Sequence, residues 1–431
     1  MPRTDIFMIG RLSLLPIKSV RQLVQNSFQG HTNMGDAQFS LRKIAVPAFG
    51  PTVLFGLSNG AVLPVIALTA RDLGASPAMA GVVVALIGLG SLTGNIPAAL
   101  LTSRIGERKA LIGASVLTIV ALLLCVFARH PALLALGTLM IGLATSVFYL
   151  ARQTFLIEAV PFELRARALS TLGGTHRIGM FAGPFASAAA MHFMGMAGAY
   201  WVAIIAMIGA GTLSFAVPEF ELTPDKGAGL AIKPKMATMA VTHAKVYLTL
   251  GVGILLISAM RAARQIVIPL WADSIGLSPT ATALIFGVTS AVDMLMFYPA
   301  GKIMDEYGRL WVALPCTLLM GLALALMPLT TSLAPFVMAS MLLGFGNGFG
   351  SGIAMTLGAD ASPPTGRTEF LGIWRLISDV GTSAGPFLLS GMTALVSLGA
   401  GIVVTGSFGF LAAALFWRWL PHIRPSETDR T

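Results

Sequence analysis

Charge is scarce in this chain of 431 residues: Asp, Glu, Lys and Arg make up 11% of it, whereas 55% is hydrophobic. A soluble domain carries about 25% charged residues, so the chain lacks the polar surface to cover a water-soluble globule. Cysteine is scarcer still. Cys125 and Cys316 are the only two, and both fall in apolar segments, which excludes a disulfide framework. The six histidines, at 31, 130, 176, 192, 243 and 422, show no metal-ligand spacing, and no metal or cofactor is expected. Acids are outnumbered, 18 against 28 basic residues, yet no basic stripe stands on a polar fold, so nucleic acid is not an expected partner.

What the chain has is long uncharged runs. Ile44 to Ala70 is 27 residues, Leu73 to Ser103 is 31, Ile178 to Pro218 is 41, Leu310 to Ala359 is 50 and Val380 to Trp417 is 38. One bilayer crossing needs about 20 apolar residues, so the longest runs hold nearly two crossings each. Residues 44–420 fit about twelve tilted helices with short turns. The expected crossings lie near 45–70, 77–101, 110–128, 132–152, 167–192 and 197–217, then 244–272, 279–301, 310–330, 333–357, 368–394 and 397–419. The expectation is an all-α integral membrane protein whose partner is the lipid bilayer. Residues 1–43 are expected to form a polar tail (with a second possible start at Met34), residues 219–243 the central loop and residues 421–431 a second tail.

Lys and Arg sort by loop parity. Counting the tails, even-numbered loops and central loop gives 21, with Arg152, Arg165 and Arg167 assigned to the loop after helix four; odd loops hold only Arg71 and Arg129. The positive-inside rule then puts both termini in the cytoplasm, in a bacterial inner membrane. A shift of 202 residues superposes the chain on itself. Pro97-Ala98 falls on Pro299-Ala300, Gly106 on Gly308, and Gly179, Gly183, Pro184 on Gly381, Gly385, Pro386. Two related six-helix bundles are expected, over 44–218 and 244–420.

After helix eight stands Gly301-Lys-Ile-Met-Asp305-Glu-Tyr-Gly308-Arg309, with a weaker copy, Ser103, Arg104, Gly106, Arg108 and Lys109, after helix two. Glycines there permit close helix approach and a tight turn, and Asp305 is placed to pair with a cation or accept from a helix N-terminus. These residues resemble the loop signature of the major facilitator superfamily; Ser103 stands where that family has an acid that latches the cytoplasmic side. Gly179 to Pro184 is similar to the helix-five pattern of the superfamily's antiporters, although Ser187-Ala188 replaces the usual paired glycines. Helix four, uncharged over Leu133 to Tyr149, lacks the arginine the family carries early in that helix. The resemblance implies secondary transport by rocking two bundles about a cavity lined by helices one, four, seven and ten, without a cofactor. It leans toward proton-coupled efflux; uptake of an organic anion by symport or uniport is the alternative. A monomer is expected.

Ionisable residues inside a membrane are costly and are functional candidates: Arg177, Arg261, Arg264, Asp293, Arg375 and Asp379. Arg177 and Asp379 are equivalent under the shift and lie roughly 18 Å along their helices from the loop. Helices five and eight adjoin in the superfamily's arrangement, so the resemblance implies that Arg177 and Asp293 face each other; Arg375 and Asp379, four apart, are expected to share a face. Arg261 and Arg264, three apart and with no acid nearby in sequence except Asp273, suit an anionic or amphipathic substrate. His176 is a candidate proton relay or a packed helical histidine. Gly344 to Gly352 alternate without a Walker lysine and are expected to serve packing and flexibility. Gly381 to Gly385 fits a hydrolase-elbow pattern, but no strand precedes it, and no nucleophile and base cluster. An enzyme is not expected.

Overall fold

A computed structural model describes residues 41–160, 162–217, 236–363 and 365–422. The expected amino tail therefore lies outside the described residues except for its helical positions 41–43, as do most of the central loop and the carboxyl tail from 423. The features discussed below belong to the compact unit that begins at residue 46. Among the described residues there is no strand.

Twelve long helices are present among them. The first six are α1 (Leu41–Asp72), α2 (Pro77–Ile105), α3 (Glu107–Val126), α4 (Pro131–Ala159), α5 (Phe162–Met194) and α6 (Ala197–Ser214). After a short helix at Met236–Thr242 come α7 (Ala244–Ser274), α8 (Pro279–Glu306), α9 (Leu310–Leu329), α10 (Leu333–Ala361), α11 (Arg367–Leu395) and α12 (Leu398–Trp419). Ten of the twelve are apolar and long enough to cross a membrane on composition alone. The two others, α5 and α11, carry Arg177 and the Arg375 and Asp379 pair among many small residues.

The helices overrun the apolar segments that announce them. Helix α4 continues to Ala159, so Arg152 is not a loop residue as its parity suggested. It is buried within α4 and donates from Nε to the Thr52 hydroxyl at 2.9 Å. Helix α8 continues to Glu306, so Gly301 and Asp305 are helical rather than part of a loop. A backbone already hydrogen-bonded along one helix gains by extending past the bilayer.

The repeat is visible in local structure. Ser76 caps α2 by accepting from the Met79 N–H at 3.2 Å, with Pro77 in the first turn; Ser278 does the same for α8 with Ala281, at 3.2 Å. Serine caps and first-turn prolines both suit the unpaired N–H groups of a helix start. A Cβ at Gly179 or Gly183 would strike the backbone carbonyls of Val53 and Leu57. A Cβ at Gly381 or Gly385 would strike those of Leu255 and Ala259, each shifted by 202 residues. The glycines of both patterns thus let α5 lie against α1 and α11 against α7, the small-residue packing that membrane helices favour. Gly385→Val is expected to cost ~1–3 kcal/mol through overpacking, read as a lower unfolding midpoint of purified protein. An unchanged midpoint would contradict this packing role.

The first six and last six helices meet through α2 against α11 and α5 against α8. At the end bearing the odd-numbered loops, Gly81 abuts Ser390 and Gly287 abuts the Phe185 ring. There Arg71 of α1 reaches Asp273 of α7, Nε to Oδ2, at 3.0 Å and donates to the Ala75 carbonyl at 2.7 Å. Arg71 and Asp273 occupy equivalent positions of the repeat, 202 apart. Asp273 is thereby engaged with α1 rather than with the arginines of its own helix. Both partners are about one-third exposed, so the pair is worth at most ~1 kcal/mol. Asp273→Asn is expected to raise the ratio of odd-end-open to closed molecules up to about five-fold, measured by thiol labelling of a cysteine placed at Asn59. No change in labelling would show that the pair does not hold this end.

Candidate functional site

Three helices reach Asp293, midway along α8. Arg177 of α5 approaches it at 3.4 Å, Nη1 to Oδ1, and Arg264 of α7 at 3.4 Å, Nη2 to Oδ2. Asn347 of α10 donates from Nδ2 to the same Oδ2 at 2.6 Å. Asp293 and Arg264 are nearly enclosed, whereas Arg177 keeps 35% of its side chain exposed. The Arg177 guanidinium also donates to the Ser351 hydroxyl at 2.5 Å and lies 5.1 Å from the Phe297 ring centre.

Helix α10 is broken at this level. Its first part ends at Phe349 and its second begins at Ile353, with Gly352 at φ 83°, a left-handed turn that favours glycine. At the break the Gly350 carbonyl accepts the Ile353 N–H at 3.2 Å, and Arg261 also donates to it, from Nη2 at 2.7 Å. The same break turns the Ser351 hydroxyl toward Arg177. Irregular backbone at membrane depth persists where protein partners satisfy it or a cavity receives it. The alternating glycines therefore do two things. Gly344 and Gly348 let α10 approach the backbone of α8 at Thr289 and Asp293, and Gly352 interrupts the helix.

Arg261 and Arg264 do not form a free pair on one face. Arg261 serves the broken helix and Arg264 serves Asp293, an acid distant in sequence. Within the cluster the charges are three arginines to one aspartate, and the three arginines are close enough to repel one another electrostatically. Not every donor and acceptor is used. Among the described residues, Nε and Nη1 of Arg264, Nε of Arg261 and Oδ1 of Asn347 are buried without a hydrogen-bond partner.

Arg375 and Asp379 do pair, at 3.9 Å, but they are 66% and 36% exposed and do not join Asp293. The expected Asp305 contact is likewise absent among the described residues. Arg309 pairs instead with Asp360 of α10 at 2.8 Å, and Asp305 lines an open cavity. A Cβ at Gly301 would meet open space, so that glycine makes no close approach; Gly106 and Gly308 do turn the chain, at φ 81° and 97°. Ser103 donates to the Leu100 carbonyl at 3.1 Å, and Arg104 is exposed. His176 meets the Tyr149 hydroxyl through Nε2 at 2.8 Å and packs against Phe55.

Asn347 escaped the sequence reading, although it is the one side-chain amide in the uncharged run Leu310 to Ala359. Ser351 escaped because nothing marks a serine between glycines as the start of a broken helix.

Three cavities adjoin the cluster. One of about 200 Å³ is walled by His176, Arg177, Arg264, Ser290 and Asp293. A second, about 290 Å³ and without a charged side chain, shares His176 and Met180 with it and is edged by Asn59, Tyr149, Gln265 and Thr382. A third, about 630 Å³, opens between α8 and α10 toward the even-numbered loops; Phe297 and Ser351, both against Arg177, stand in its wall.

A repeated bundle of membrane-crossing helices, with a charged cluster and cavities where its halves meet, defines a membrane transporter. Residues 49–263 and 250–431 each match the sequence model of the Major Facilitator Superfamily, and the chain belongs to that superfamily. It is 26% identical over 192 residues to the multidrug resistance protein MdtG of Enterobacter lignolyticus, an alignment covering 44% of this chain and 46% of that protein. It is 20% identical to a Na(+), Li(+), K(+)/H(+) antiporter of Planococcus maritimus, over 81% of this chain and 89% of the antiporter. The chain thus spans about half the length of the MdtG relative and most of the antiporter. Among solved structures it resembles a POT family transporter (TM-score 0.72, 13% identity, 89% of this chain and 96% of that one). It also resembles a D-xylose-proton symporter (TM-score 0.68, 16% identity, 88% and 98%). At those identities the likeness concerns the fold.

Proposed function

We propose that this chain is a proton-coupled secondary transporter of a small organic molecule, working by alternating access, with Asp293 as the coupling carboxylate. One observation carries the reading. Asp293 sits on a helix of the second bundle and is held by Arg177 from the first, at 3.4 Å. Any rocking of one bundle against the other lengthens that contact. Arg264 moves with Asp293 in the second bundle, so the carboxylate then keeps one cationic partner of two; its charged form loses stabilisation in a low-dielectric site, and a proton binds it more readily. Arg177, half open to the cavities, is the partner released and recaptured in each cycle.

Export is the direction supported by the helix-five pattern and by the names of the relatives, a multidrug resistance protein and a cation/proton antiporter. Uptake of an organic anion by symport is the second reading, favoured by the excess of arginine over aspartate around the cavity. The basic even-numbered loops and tails support cytoplasmic termini.

The test is purified protein in liposomes enclosing a pH-sensitive dye, with an imposed proton gradient and a panel of anionic and cationic compounds. The reading predicts that adding a transported compound dissipates the gradient. Labelled compound that equilibrates without proton movement would establish a uniporter or another coupling ion and end the proposal.

A further inference from the structure

We infer that the cluster binds the charged end of an amphipathic organic anion, a carboxylate or its equivalent, and that anion and proton occupy the site together rather than in exchange. The inference rests on the reading of Asp293 as the group that takes up the proton; it adopts the symport reading over export in exchange for protons, and it narrows the substrate to a carboxylate.

Three observations point to the anion. Arginines outnumber aspartates three to one in the cluster, two of them (Arg177 and Arg264) in the wall of the charged cavity, and an uncompensated guanidinium inside a membrane is costly. Arg264 is buried, 8% exposed, yet its Nε and Nη1 have no partner. Nε and Nη1 lie on different edges of the guanidinium, on either side of the Nη2 that serves Asp293, and each is an unused donor for one oxygen of a carboxylate. The uncharged cavity then receives the rest of the molecule. It shares His176 and Met180 with the charged one and offers neutral hydrogen-bonding groups at Asn59, Tyr149, Gln265 and Thr382. Ligand sites of this kind are apolar with a few placed polar groups.

The linkage to protons follows from charge. The charged or titratable groups near Asp293 are Arg177 and His176 on α5, Arg261 and Arg264 on α7, and the Cys316 thiol on α9; α10 contributes the neutral Asn347. An anion on Arg264 competes with Asp293 for its positive charge. A proton on Asp293 removes that competition, so each favours the other, and binding couplings are reciprocal. A cationic substrate would do the opposite and displace the proton.

The experiment uses the full chain in detergent or nanodiscs at pH 6 and pH 8. Probes are benzoate, benzamide and benzylamine, then octanoate, octanamide and octylamine, with chloride alone as the inorganic arm, and the readouts are unfolding midpoint and affinity. Carboxylates alone are expected to raise the midpoint, binding about ten-fold more tightly at pH 6. Asp293→Asn is expected to hold the tight affinity at both pH values. Arg264→Gln is expected to lose at least ten-fold, and the charge-balanced Arg264→Gln/Asp293→Asn double variant keeps the test valid should the single variant fail to fold. Stabilisation by amines or amides, by chloride to the same extent, or by none of the probes would overturn the inference. Carboxylate affinity independent of pH would overturn it too, while gradient-driven transport lost in Asp293→Asn would leave the coupling reading standing. Tight, pH-dependent carboxylate binding with proton coupling intact in Asp293→Asn would instead remove Asp293 from the coupling path.

Discussion

Asp293→Asn is expected to abolish accumulation of substrate against its gradient while leaving exchange of labelled for unlabelled substrate intact. The amide preserves size and still accepts from Asn347, but it neither carries charge nor takes a proton. Inside-to-outside ratios should therefore fall to unity whatever pH gradient is imposed, whereas wild type concentrates substrate. Removing one partner of a buried ion pair costs about 3–5 kcal/mol. Arg177, with 35% of its side chain exposed, can rehydrate, whereas Arg264, 9% exposed, loses its acid while buried, so the loss falls within that range and membrane-inserted protein is measured alongside transport. Accumulation equal to wild type would exclude Asp293 from coupling.

The break in α10 supports the second large effect. Gly352→Val is expected to lower transport by up to about 5–30-fold, and Gly352→Asn to retain most of it. At φ 83°, a β-branched side chain meets the following carbonyl, a penalty of ~1–2 kcal/mol, whereas Asn is tolerated there. That penalty biases the segment about 5–30-fold toward a continuous helix. A continuous helix withdraws the Gly350 carbonyl from Arg261 and the Ser351 hydroxyl from Arg177, undoing two of the contacts that hold the site's arginines. Transport assays in whole cells, normalised to membrane-inserted protein, separate this from loss of folding. Equal activity of the valine variant would show that the break has no part in the cycle.

Much of this molecule can be read without coordinates, because the bilayer imposes length and apolarity on each helix. The constant 202-residue offset discloses the repeat, and the same offset relates the paired glycine contacts of α5 on α1 and α11 on α7. Arg177 and Asp293 are legible as partners because intramembrane charges are few and helices five and eight adjoin in the superfamily. Helix ends are less legible. Arg152 and Asp305 read as loop residues by polarity, but a helix continues past the apolar core wherever its side chains find partners or water. The companions of Asp293 are least legible. Arg264 reaches it from 29 positions earlier and Asn347 from 54 later, and only the packing of α7 and α10 on α8 reveals them. Conversely, Arg375 and Asp379 have the same composition signal as the site residues yet stand exposed and self-paired.

The most direct test of Asp293 as the coupling group records internal pH and labelled carboxylate together, in the same proteoliposomes, with the membrane voltage clamped. The carboxylate is the probe selected by binding. Wild type is predicted to carry anion and proton in the same direction with a constant ratio, and Asp293→Asn to move anion with no pH change. Protons moving opposite to the anion in wild type, or proton movement undiminished in Asp293→Asn, would contradict the account.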